Sequence, residues 1–263
     1  MIYFIAGATA LSILAYLKHA GPFHGLPILL YHKVSDSTVD DLTITASQLE
    51  KHFQYIIRKK YTTIFLSDLR AYIIEDKPLP DKPLLLTFDD GYKNNYTNLY
   101  PLLQKYHLKA NIFLTAGFIE TDSEDLVRHS EFLHINDIHL INKETIQFAL
   151  HTFDHKNYAT LSIPEIDEDL KRSKERLDVL KIPYEPCHSY TYGAYPKKNA
   201  KKRKEMFDVL KSNGVELGMR IGNRINKLPL KNKLLIERID IRGNESFLKF
   251  RISLAAGRKI LFK

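Results

Sequence analysis

The chain has 263 residues, with 39 Lys and Arg against 31 Asp and Glu, a formal charge of +8 with neutral His. A hydrophobic fraction of 44% with 27% charged residues excludes wholesale disorder, and eleven Gly and eleven Pro without a period exclude a collagen-like chain. A single cysteine, Cys187, excludes an intrachain disulfide and a cysteine-built zinc centre, so any metal must be held by His and carboxylates.

The N-terminus departs from the ordinary. Met1 to Leu17 (MIYFIAGATALSILAYL) carries no charged side chain. As a helix it would run roughly 26 Å, the lower limit for crossing a bilayer core. A buried helix and a cleaved signal peptide are the competing readings. The second is weakened because no Lys or Arg precedes the run and Lys18-His19-Ala20 is a poor cleavage site. The expectation is a membrane anchor within residues 1–20, followed by one soluble domain over 21–263. Lys18 and Lys33 follow the run, which by the positive-inside tendency places the domain on the cytoplasmic side of a bacterial inner membrane. A periplasmic or secreted domain is the alternative. The last stretch, Phe247 to Lys263, has five Lys or Arg and no acid. It reads either as a leaflet-binding segment or as a final strand and helix with a solvated basic face.

From Pro27 onward, apolar strand-like runs alternate with helical patterns. Pro27 to Tyr31 predicts a short buried strand. Ser47 to Lys60 predicts an amphipathic helix with Leu49, Phe53, Ile56 and Ile57 on one face. Thr63 to Leu66 predicts a strand, with Ser67 capping the next helix. Pro83 to Phe88 (PLLLTF) is the strongest strand, apolar nearly throughout, as a strand covered on both faces must be. A helix near Asn95 to Tyr106 and a strand at Ala110 to Leu114 follow. Glu120 to Ile141, with three His and poor periodicity, reads as a long loop. Pro164 opens a charged helix to about Leu180, burying Ile166, Leu170, Leu177 and Leu180. Strands are expected near Cys187 to Thr191, Glu216 to Met219 and Leu234 to Ile241. This alternation indicates an α/β fold with a parallel sheet or barrel.

Chemistry concentrates at three places. The strand PLLLTF runs into Asp89-Asp90-Gly91, at the strand end where β/α barrels carry their sites. Two buried carboxylates are costly unless a metal or proton chemistry uses them; the plainer reading is a helix cap followed by a glycine turn. His151-Thr152-Phe153-Asp154-His155 places two imidazoles four residues apart, able to converge on one metal. With one carboxylate they make a three-ligand face with open positions, a catalytic arrangement. Tyr190-Thr191-Tyr192-Gly193-Ala194-Tyr195 reads as an aromatic sugar-binding wall or as an ordinary aromatic turn.

The ordered set Thr87-Phe88-Asp89-Asp90-Gly91, His151-Thr152-Phe153-Asp154-His155 and Tyr192-Gly193 resembles the NodB-type polysaccharide deacetylases of carbohydrate esterase family 4, from about Pro27 to Phe250. Tyr31-His32-Lys33-Val34 and Glu237-Arg238-Ile239 resemble the circularly permuted branch, typified by poly-N-acetylglucosamine deacetylases. Thr191 stands where that family commonly has proline, Leu150 where a small polar residue precedes the first His, and the arginine of the third motif is missing before Tyr190.

The resemblance implies a distorted (β/α) barrel and hydrolytic removal of an N-acetyl group from an N-acetylhexosamine in an envelope glycan or glycolipid. It implies Asp90, His151 and His155 as ligands of a divalent metal, foremost Zn²⁺, and Asp89 as general base. It further implies His32 as the acid for the leaving amine, Arg238 as the partner of Asp89, and Tyr192 with Gly193 at the oxyanion. The expected partners are an N-acetylated saccharide and, through residues 1–17, a membrane. A non-catalytic glycan-binding module on the same fold is the alternative. A nucleic-acid partner rests on charge alone, with no groove-reading or base-stacking motif, and is not expected. The basic run Lys197, Lys198, Lys201, Lys202, Arg203, Lys204 either meets a substrate phosphate or is a solvated helix face.

Overall fold

The computed structural model describes residues 25–122 and 131–259. The anchor expected within residues 1–20 lies outside them. Among the described residues no helix is long and apolar enough to cross a membrane.

Seven strands close a parallel barrel: β1 (Ile28–Tyr31), β5 (Pro83–Asp90), β6 (Ala110–Leu114), β7 (Ile146–Leu150), β8 (Glu185–Ser189), β9 (Leu217–Ile221) and β10 (Ile236–Asp240). They follow one another around the ring as β1-β10-β9-β8-β7-β6-β5, and β1 returns to β5 with Ile28 opposite Leu85 and Tyr31 opposite Phe88. A short β4 (Thr62–Thr63) flanks β5, while β2 (Lys33–Ser35) and β3 (Thr43–Thr45) pair by themselves. The helices are α1 (Ala46–Arg58), α2 (Leu66–Ile74), α3 (Tyr100–Tyr106), α4 (Ile135–Leu140), α5 (Ile163–Val179), α6 (Ala200–Ser212) and α7 (Phe247–Ala256).

The strands are continuously apolar because both faces are covered, and side chains alternate between two cores. Ile28, Leu85, Phe113, Ala149, Cys187, Leu217 and Ile236 form one cluster inside the ring. Their neighbours Leu29, Leu84, Leu86, Ile112, Phe148 and Leu150 join the larger cluster under the helices. Helix α2 closes the end of the barrel where the strands begin. Leu66 and Leu69 are fully buried in the inner cluster with Leu26 and Ile64. The orphan donors of its first turn are taken by strand side chains: Leu66 N donates to Asn111 Oδ1 at 2.8 Å and Ser67 N to Gln147 Oε1 at 3.4 Å.

Several expectations need correction. Ser67 does not cap α2: it lies inside the first turn, and Phe65 at the cap position donates its N–H to Asp68 instead. Ile57 is 43% exposed, and Tyr55 joins Leu49, Phe53 and Ile56 on the buried side of α1, because α7 packs there with Phe247 and Phe250 against Tyr55. The supposed loop Glu120–Ile141 contains α4, capped by His134, and is pinned by bridges Glu120–His134 and Tyr92–Phe132. Residues 146–150, read as no element, form β7. Strand β4, Thr62–Thr63, shares only Thr63 with the expected Thr63–Leu66, and Leu66 already belongs to α2. In the last segment, helix α7 starts at Phe247 itself, so among the described residues no strand lies between Phe247 and that helix.

Candidate active site

The site lies where the strands end, opposite the α2 plug. Strand β5 delivers Asp89 and Asp90 to opposite sides of its plane, and each meets a different neighbourhood.

Asp89 faces the barrel interior. Its oxygens accept hydrogen bonds of 2.7 Å each from the two terminal nitrogens of Arg238, projecting from β10. Ser189 Oγ at the end of β8 donates to Asp89 Oδ2 at 3.0 Å and accepts from Arg238 at 2.6 Å. Arg238 is wholly inaccessible to solvent and Asp89 only 3% exposed. Burial alone would raise the Asp89 pKa. The Arg238 charge and hydrogen bonds outweigh it, with smaller help from His151 and His32, and hold the carboxyl below its ordinary value. Planar bidentate pairing is what makes so buried an ion pair tenable.

Asp90 turns the other way, with φ of 75°, and Gly91 follows at 80°. Its Oδ1 lies 3.3 Å from His151 Nε2 and 3.2 Å from His155 Nε2. That oxygen is buried and, among the described residues, has no hydrogen-bond partner. The three ligand atoms lie within 4.8 Å of one another. His151 follows β7 and points its Nδ1 at the Ser189 carbonyl, 2.6 Å away. Taken as Nδ1–H donating to that carbonyl, the contact leaves Nε2 with its lone pair toward Asp90. His155 is reached not by a helical turn but by a tight loop in which it adopts φ of 55°. Burial raises the Asp90 pKa, but the two imidazoles overcome it and hold the carboxyl well below normal. Burial depresses His151, and Asp90 and Asp89 more than reverse it. Three such atoms this close must share protons or share a cation. The orphaned Asp90 oxygen and the oriented His151 fit a divalent cation held by one carboxylate and two imidazoles.

Around this centre, Tyr192 stands with φ of 59°, its exposed ring edge-on to His155 at 5.0 Å between centroids. Gly193, at φ of 64°, is required by close packing: a Cβ there would come within 2.6 Å of the Ile221 backbone nitrogen. His32 follows β1, its carbonyl held by Asn95 Nδ2 at 2.9 Å, and its ring acts electrostatically on both Asp89 and Asp90. The structure therefore brings Asp89, Asp90, His151, His155, His32, Arg238, Tyr192 and Gly193 to one end of the barrel. The lysine run does not form a joint cluster with them. Asn199 caps α6, Lys202 bonds the Ala159 carbonyl at 3.2 Å, and Lys197, Lys198, Lys201 and Lys204 are exposed.

Reading the sequence missed three supporting residues. Ser189 touches both halves of the centre, and strand alternation from Cys187 would have placed it inside the barrel. Asp169 on α5 accepts from the Phe153 N–H at 3.2 Å and from Tyr158 Oη at 2.8 Å, tying down the loop that carries both His. Its signal is an acid inside the buried stripe Ile166, Leu170, Ser173, Leu177. Tyr92 stacks on Phe132 at 5.0 Å and receives Lys33 over its ring at 4.5 Å, forming one side of an open groove of about 420 Å³ that also takes in Asp40, Lys93 and Glu131.

The fold matches that of Streptococcus pyogenes deacetylase PplD solved with acetate, at a TM-score of 0.74, covering 91% of this chain and 100% of that one at 20% identity. YxkH of Bacillus subtilis (strain 168), which carries a provisional polysaccharide deacetylase name, is 28% identical over 187 residues, 71% of this chain and 63% of that protein. Poly-beta-1,6-N-acetyl-D-glucosamine N-deacetylase of Escherichia coli (strain K12) is 28% identical over 114 residues, 43% of this chain and 17% of that protein. The chain thus spans less than two thirds of either relative. The polysaccharide deacetylase family model matches residues 76–217, which include Asp89, Asp90, both imidazoles and Tyr192, and the chain belongs to that family.

Proposed function

We propose that the chain hydrolyses the N-acetyl group of an N-acetylhexosamine in a glycan, in a metal-dependent reaction. The observation that carries this reading is the partnerless Asp90 Oδ1, within 3.3 Å of two imidazole nitrogens and beside an ionised carboxylate clamped by Arg238. Asp90, His151 and His155 would hold the cation, and a bound Zn²⁺ supplies charge stabilisation for the acetyl carbonyl and a water of lowered pKa.

The remaining chemistry belongs to the chain. Asp89 accepts the proton of the attacking water. Arg238 and Ser189 leave its carboxylate no rotational freedom, so the accepting oxygen is oriented before substrate arrives. His32, within electrostatic reach of both carboxylates, donates a proton to the departing amine. The Tyr192 N–H, presented by a backbone in the left-handed region, receives the developing oxyanion. The exposed Tyr192 ring and the Lys33–Tyr92 groove give neighbouring sugars a wall to lie against. A relative named for poly-beta-1,6-N-acetyl-D-glucosamine supports a polymeric amino-sugar substrate.

The test is acetate release from poly-β-1,6-N-acetylglucosamine, chitin oligomers and a lipid-linked N-acetylhexosamine, before and after chelation. Acetate from at least one, lost with chelator and restored by Zn²⁺, is expected. Release indifferent to chelation would remove the metal from the mechanism, and no release from any would sink the reading.

A further inference from the structure

The end of the barrel away from the metal centre carries charged and half-exposed apolar surface that the chemistry does not use. The connection from β9 to β10 includes residues 222–235 (GNRINKLPLKNKLL), with Arg224, Lys227, Lys231 and Lys233 and no acid. Leu228 and Leu230 pack on the inner cluster of Leu26, Leu66 and Leu69, as does Leu79 from the loop between α2 and β5. All three remain partly exposed, and Ile74 at the end of α2 is 43% exposed. Exposed Lys77, Lys82, Lys227 and Lys231 lie in the same two connections. Lys77 pairs with Glu75, while among the described residues Lys227, Lys231 and Lys233 have no ion-pair partner. Asp76 and Asp81 are the other acids of these connections, so lysines predominate. Leucines on a plug, bordered by lysines, are what an interfacial surface needs: stems and leucines at the headgroup boundary, ammonium groups on lipid phosphates.

The chain's own path leads to the same place. Leu26 and Asn226 exchange backbone hydrogen bonds of 2.8 and 3.1 Å, so the polypeptide arriving from the uncharged Met1–Leu17 run joins the domain alongside this connection. From Leu17 to Gly25 the chain spans at most about 28 Å.

We propose that this end of the barrel, formed by the 74–82 loop and the 225–235 connection, docks on an anionic lipid surface and points the metal centre away from it. Strand β5, from Pro83 to Asp90, then sets the stand-off. At about 3.3 Å per residue and the usual barrel tilt it lifts Asp90 roughly 20 Å above the docked end. Resting on the deacetylase reading, this selects glycan chains standing clear of the bilayer over sugars at headgroup level.

The test uses the full chain in nanodiscs of phosphatidylcholine with or without 30% phosphatidylglycerol, doped with brominated lipid. A fluorophore is attached at Pro80→Cys or, as the opposite-end control, at Val39→Cys; Cys187 is buried and does not compete. Quenching at least three-fold greater at position 80 than at 39, dependent on phosphatidylglycerol and lost in K77E/K82E/K227E/K231E, is expected. Equal quenching at both positions, stronger quenching at 39, or failure to associate with discs would each overturn the proposal. So would a concentration-dependent dimer in solution that the charge reversal abolishes, which would assign the face to a second copy. Acetate release from a soluble oligosaccharide, expected unchanged by the charge reversal, separates loss of docking from failure of the deacetylase reading.

Discussion

The two ends of this barrel are built from the same strands by opposite rules. At the end where the strands begin, α2 seals the interior with Leu66 and Leu69, its first-turn donors go to the neutral side chains of Asn111 and Gln147, and its charged Arg70 pairs with Glu216 where both keep about a third of their surface in solvent. At the other end the strands finish in a fully buried arginine, two buried carboxylates and a buried imidazole. Asp90, Gly91, His155, Tyr192 and Gly193 there hold positive φ, a conformation costly to all but the glycines. The cold arithmetic of burial favours the first end, and the second persists because its groups satisfy one another or await a cation. Stability therefore resides at one end and chemistry at the other, as β/α barrels allow when loops at one face are freed from holding the core.

The two ends should differ most at the residues proposed to hold a cation. His155→Ala should abolish stoichiometric Zn²⁺ binding and bring acetate release to background while unfolding midpoints move little, because His155 is partly exposed on a loop. Full metal occupancy in the variant, measured by elemental analysis, would refute the ligand set.

Arg238→Met should cost about 3–5 kcal/mol at pH 7 by urea unfolding, since it strands Asp89 without its counter-charge. The pH dependence has a definite sign. In the native chain the Asp89 pKa is lowered, so its contribution is complete above about 3.9, the unfolded value, and is lost as pH falls through the lower folded value. In the variant burial prevails and the folded pKa rises, so the deficit should be largest at neutral pH and shrink as pH falls toward 4. A deficit that does not shrink would show that the arginine matters by packing alone.

At the sealed end, Leu69→Ala should destabilise by about 3 kcal/mol, through lost burial and a cavity in the plug. Zn²⁺ affinity and KM should stay within two-fold of the native values. A larger shift in either would show that the ends are mechanically coupled and dull the contrast drawn here.

Asp89→Asn sharpens the contrast within the reactive end. Turnover should fall about 10²-fold or more with the cation still bound, because the base is lost and the ligands remain. Loss of the metal together with turnover would move Asp89 from base to ligand.

Much of this molecule is legible in its sequence because local rules specify it. The continuous apolar run Pro83–Phe88 requires a strand covered on both faces, Pro164 stands in the first turn of α5 where a missing N–H costs nothing, and the order of TFDDG before HTFDH names the family. The strand ends deliver the charged residues automatically, since alternation sends Asp89 inward and Asp90 outward whatever the rest of the chain does. Local pattern failed where distant segments supply the partner. Residues 146–150 form a strand only because β6 and β8 stand on either side, and Ser67 is no cap because Asn111 and Gln147 already meet the α2 donors. That Arg238 is buried rather than a surface ion pair, and that Ser189 joins it to Asp89 while holding His151, depended on closing the ring. Closure brings β10, β8 and β5 within hydrogen-bond distance across up to 151 residues of chain, and no local periodicity encodes a contact of that range.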